Sequence, residues 1–87
     1  MSTTWRKEIS YAMSKTQETW QDIESITLSD KELDVEFNDG YGHEEGIPFT
    51  AWSKNHVYFP ICYDGAEWCG SVSRNPNGKP TGHQGGG

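Results

Sequence analysis

The chain has 87 residues, enough for one domain and near the lower limit at which a hydrophobic core holds without staples. Only 32% of it is hydrophobic, but four Trp, four Tyr and three Phe supply much of the area available for burial, so an aromatic core is expected. The net charge of −6 argues against a domain that grips nucleic acid through its phosphates. No apolar run approaches the roughly 18 residues of a membrane span, and MSTTWRKEIS lacks the apolar stretch of a secretory signal, so a soluble cytoplasmic protein is expected.

The charge is unevenly spread. Residues 16–45 contain Glu18, Asp22, Glu24, Asp30, Glu32, Asp34, Glu36, Asp39, Glu44 and Glu45 against Lys31 alone, a balance of −9, whereas both flanks are slightly positive. Such asymmetry points to a basic partner or a cation.

Trp5, Ile9, Ala12 and Met13 recur at helical spacing behind Thr3 and Thr4, either of which can cap, and predict a helix over 4–15. A polar gap follows, after which Thr19 with Asp22 three residues on has the form of a fresh N-terminal cap and predicts a short helical turn around 19–24. Ile26–Leu28 and Lys31–Phe37 read as strand, either bulged at Ser29-Asp30 or in two pieces. Within it Leu33, Val35 and Phe37 alternate with Glu32, Asp34 and Glu36. On a strand those three carboxylates would stand in a row about 6.5–7 Å apart, close to the spacing of successive phosphates along one nucleic-acid strand.

Asn38-Asp39-Gly40 predicts a turn into an open acidic loop with glycines at 40, 42 and 46. Ile47–Ser53 reads as the next strand, and Lys54-Asn55 as a tight turn into His56–Tyr63. There Val57, Phe59, Ile61 and Tyr63 share a face, and Pro60 requires an edge or a bulge. Asp64-Gly65-Ala66 is a hairpin turn into a strand over Glu67–Val72. The fold class is therefore α+β: an N-terminal helix packed on an antiparallel meander of about four strands. The domain spans 1–73, and residues 74–87 form an extended or flexible Gly-rich tail.

The acidic strand face competes with a plainer reading, the charged solvent side of any strand. A lone Lys31 within thirty residues favours a dedicated surface, because a face that serves solubility alone intersperses both signs. Cys62 and Cys69 flank the hairpin on one side, directly opposite if Gly65-Ala66 forms the turn and diagonal if Asp64-Gly65 does, with reduced thiols the default in the cytoplasm. They do not reproduce a zinc knuckle with His56, and His43 and His83 lie in flexible segments. Asp30 to Glu36 imitates alternate EF-hand ligands but has Val35 at the sharp-turn position and Tyr41 at the twelfth, which leaves only an irregular cation site in the 39–45 loop. No nucleophile elbow, P-loop or zinc-protease motif is present, so no enzyme and no cofactor are expected. Trp52, Tyr58 and Trp68 are candidates for a base-stacking platform, with core packing the favoured alternative.

The stretch VYFPICYDGAEWCGSVSRNP, with FNDGYG and IPFTAW before it, resembles small proteins that tailed bacteriophages encode among their early or accessory genes, over residues 26–87. The resemblance carries no catalytic residue. It implies a context in which small acidic proteins inhibit host enzymes, CRISPR effectors and restriction systems among them, by protein–protein contact. The combined expectation is an inhibitor that docks Glu32, Asp34 and Glu36, flanked by Asp39, Glu44, Glu45, Glu18 and Asp22, on a basic nucleic-acid-binding surface. A small-molecule or metal-ion binding module and a structural homo-oligomer are the alternatives.

Overall fold

Thr4 starts the first helix as the sequence suggests. It sits in extended backbone, and its Oγ1 accepts the Lys7 N–H at 3.2 Å, satisfying one of the helix's unpaired first-turn donors. The computed structural model describes residues 2–38, 40 and 45–85. In chain order these form β1 (Ser2–Thr3), α1 (Trp5–Thr16), a 3-10 turn (Trp20–Asp22), β2 (Ile23–Ile26), α2 (Asp30–Leu33), β3 (Phe37–Asn38), β4 (Ala51–Ser53), β5 (His56–Tyr63) and β6 (Ala66–Ser73).

The protein is α+β. β2, β4, β5 and β6 make an antiparallel four-stranded sheet in that order, and β1 pairs with β3 in a separate two-stranded ribbon. α1 buries Trp5, Ile9, Ala12 and Met13 against the sheet face that carries Ala51, Tyr58 and Cys69. The core is aromatic at one end: the Trp5 ring lies 4.6 Å from Phe37 and 4.8 Å from Phe49, and its Nε1 donates to the Ile47 carbonyl at 2.9 Å.

The capping box foreseen at Thr19 and Asp22 is present, but the helical turn is shorter than expected, because Ile23 and Glu24 already belong to β2. Strand pairing over the fourth segment is confined to Ala51–Ser53, so residues 47–50 lie outside the ladder. That short β4 explains Pro60. β5 is central in the sheet, yet its pairing with β4 stops at Tyr58, so the donor that Pro60 lacks would have had no partner on that side. At the hairpin, Asp64 and Gly65 both have positive φ (49° and 85°), the geometry of a type I′ turn, and Tyr63 pairs with Ala66. Cys62 and Cys69 are consequently diagonal, and both are free thiols. Beyond β6 the tail turns back, with Gln84 near Trp68–Ser71 and Gly85 against Ile61 and the Cys62 carbonyl.

The largest departure concerns Lys31–Phe37, of which only Phe37 is strand, the residues before it forming α2 and its exit. Ser29 caps α2 by accepting the Glu32 N–H at 3.1 Å, and the Glu32 carboxylate accepts the Ser29 N–H at 2.9 Å. Leu33 and Phe37, four residues apart, are buried, while Val35, which the strand reading places beside them, is 45% exposed. The period-two alternation is real in the sequence but is not the period that is buried.

Candidate functional site

The carboxylates of the acidic third fall into different environments once the chain folds. Asp30, Asp34 and Glu36 lie on the surface around α2, and the Asp30 side chain is 97% exposed. Asp34 is gripped by Arg6 through Nε at 2.7 Å and Nη2 at 3.2 Å, hydrogen bonds that hold its carboxyl below the ordinary aspartate range. The same guanidinium reaches the Asp30 carbonyl at 3.4 Å and its carboxylate at 3.8 Å, and lies 5.7 Å from the centre of the Trp20 ring. Glu36 accepts only a long contact, 3.4 Å, from Ser2 Oγ. Glu24, on β2, pairs with Arg74.

Two acids expected at the interface serve as caps instead. Asp22 accepts the Thr19 N–H at 2.9 Å, and Glu32 closes the α2 box. The row of Glu32, Asp34 and Glu36 at phosphate-like spacing is therefore not formed, because a helical turn replaces the strand that would have created it. Glu45 is exposed, and its backbone N–H is bound by the Glu67 carboxylate at 2.6 Å. Asp39 and Glu44, with the rest of the 41–44 loop, lie outside the described residues.

Glu18 is the clearest correction. Gln17 ends α1 in the left-handed conformation (φ 64°), and the turn carries Glu18 inward, where its side chain is only 4% exposed. Its Oε1 accepts from Ser53 Oγ at 2.5 Å and Tyr58 Oη at 2.5 Å and lies 3.1 Å from His56 Nδ1, while Oε2 accepts the Asn55 N–H at 3.1 Å. Burial pushes this carboxyl's pKa up, but the donors together outweigh burial and hold it below the ordinary glutamate value. Tyr58 shows the reciprocal effect: burial and then its bond to Glu18 raise the phenol well above its usual range.

The cluster is built to shape a turn. Lys54 and Asn55 join β4 to β5 without positive φ, so the connection lacks the backbone twist that two-residue hairpins favour. Glu18 supplies the restraint from outside by binding the turn's Asn55 amide, and Ser53 Oγ accepts the His56 N–H at 2.9 Å. Glu67 does the same elsewhere; it is buried and takes the N–H groups of Glu45 and Gly46. Neither role was legible in sequence, since the partners lie more than twenty residues away.

Glu18 and His56 form a carboxylate-oriented imidazole. Among the described residues no hydroxyl or thiol hydrogen-bonds its Nε2, and no three His, Cys, Asp or Glu side chains converge as metal ligands. The aromatic platform is divided: Tyr58 is buried under α1, whereas the sheet register puts Trp52 and Trp68 on the opposite face with Val57, Ile61 and Val72. Among the described residues no helix is long and apolar enough to cross a membrane.

The arrangement defines a small α+β domain with a buried polar turn-clasp and an acidic surface segment. No family model, no curated protein and no solved structure matches the chain.

Proposed function

We propose that the protein is a non-enzymatic inhibitor, of the anti-CRISPR or wider anti-defence kind, that acts in the cytoplasm of a phage-infected cell by covering a basic nucleic-acid-binding surface of a host protein. The observation that carries this reading is the segment 30–36. Asp30, Asp34 and Glu36 remain on the surface, and the exposed apolar Val35 stands between two of them. An apolar side chain ringed by charge suits a protein contact, with Val35 as the desolvated centre and the acids as a polar rim that steers a cationic partner. The mimicry rests on this charge density and no longer on a phosphate-like spacing.

The discriminating variant is Asp30→Lys with Glu36→Lys, because neither side chain caps a helix or is buried. Immobilised wild-type protein should retain a partner from nuclease-treated bacterial lysate that elutes as salt is raised, and the double variant should lose it. Equal retention by both, with the variant's melting temperature unchanged, refutes the proposal.

A further inference from the structure

A groove beside the end of β6 has the opposite character from the acidic segment. It has a volume of 960 Å³ and runs between the end of β6 and the returning chain at 74–81. In a protein with thirteen carboxylates none lines this groove, whereas Arg74, Lys79 and His56 all do. We infer that it is a binding site for a phosphate group, free or carried on a small monoester, a reading independent of the protein-inhibitor proposal.

Four side chains support a phosphate. Lys79 is exposed and forms no ion pair among the described residues, so its ammonium is available. Arg74 spends Nη1 on Glu24 and on the Ser53 carbonyl at 2.8 Å, which fixes the guanidinium and leaves Nε and Nη2 to donate. His56 is oriented from behind: Glu18 requires the proton on Nδ1, so Nε2 is the ring atom left to meet a phosphate oxygen, as acceptor from P–OH or as donor when the ring is charged. Ser71 and Ser73 project from the same side of the sheet as His56, because residues 56, 71 and 73 share a face by register. Ser73 Oγ is committed to the Asn75 carbonyl at 2.5 Å, so of these two serines Ser71 is the one left to donate.

The walls are pre-shaped in part. Asn77 Oδ1 accepts the Lys79 N–H at 2.9 Å, and Gly78 between them takes φ +73°, a turn that a side chain there would strain. The volume is within the range of small-ligand sites, and Val72 and two prolines give the groove its apolar portion.

The test is an amide-resolved NMR titration of the full chain with inorganic phosphate and, separately, with adenosine monophosphate. Saturable shifts confined to His56 and residues 71–81 are expected. Lys79→Glu should weaken binding about tenfold or more, while Lys54→Glu, the same charge change in the β4–β5 turn, should leave it within about twofold. Tighter binding of the nucleotide than of phosphate identifies a nucleotide as the ligand's source, and equal binding identifies the free anion. The inference is overturned by non-saturating shifts, by an unaltered affinity in Lys79→Glu, or by equal losses in both variants, which would indicate charge screening alone.

Discussion

Replacing Glu18 with Ala tests the physical centre of the fold. The substitution removes a nearly fully buried carboxylate that accepts from Ser53, Tyr58, the Asn55 amide and, through Nδ1, His56. Ser53 and Tyr58 are completely buried, so their hydroxyls cannot turn to bulk water. An unsatisfied buried group costs about 1–3 kcal/mol. Ser53 retains the His56 carbonyl at 3.1 Å and Tyr58 retains Thr16 at 2.7 Å, which reduces the loss. About 3 kcal/mol is expected in total, against roughly 4–13 kcal/mol for a domain of this length. In thermal unfolding followed by circular dichroism this corresponds to a melting temperature about 12–24 °C lower. Because the folded pKa of Glu18 is depressed, its stabilisation is complete above the unfolded value near 4.5 and is lost as pH falls through the lower folded value. The gap between wild type and Glu18→Ala should therefore narrow in acid. A variant within about 0.5 kcal/mol of wild type at pH 7, or a gap that is constant down to strongly acidic pH, would refute the reasoning.

Two further perturbations probe packing and chemistry. A Cβ on Gly46 would lie 2.7 Å from Trp5 Cζ2, in a ring that is fully buried and pinned by its bond to Ile47, so Gly46→Ala should destabilise by about 1–3 kcal/mol in chemical denaturation; an unchanged midpoint would show that the ring yields. Burial pushes the Cys69 thiol up to about 12, and so Ellman's reagent should label at most one thiol per native chain and two in denaturant. Rapid native labelling of Cys69 would contradict its placement under α1.

What could be read from the sequence was what local rules decide. The α1 stripe with a threonine cap, the Thr19–Asp22 box and a hairpin turn within 64–66 depend on neighbours within a few residues, and the β4–β5–β6 part of the antiparallel sheet on the next strand, whereas β2 at 23–26 pairs with β4 across α2 and β3. The segment 31–37 was misread because two local signals compete there. Its alternation favours a strand, but Ser29 and Glu32 have capping-box spacing, and α2 then buries Leu33 while Val35 is left exposed and Phe37 is buried from β3. That box was present in the sequence and outranks an alternation of only three pairs. Glu18 offered no such cue. Its inward position follows from a left-handed Gln17 and from donors at 53, 55, 56 and 58, which are brought near only by the sheet.

These placements change what the acidic third of the chain can do, though not how much charge it holds. The formal charge of the segment is unchanged by folding, and the donors around Glu18 hold its carboxyl below the ordinary value, so Asp22, Glu32 and Glu18 still contribute to the field that a distant cation feels; Asp34 and Glu24 are offset locally by Arg6 and Arg74. Steering at long range depends on that summed field, whereas affinity at contact depends on groups free to touch a partner. Around α2 the second set narrows to Glu36 and to Asp30, whose carboxylate pairs with Arg6 at 3.8 Å yet stays 97% exposed, with Val35 at hand. A partner surface recognised here would thus be approached through many charges and held through few. This division makes the paired reversal of Asp30 and Glu36 more informative than a reversal that includes Glu32, whose loss would also uncap α2.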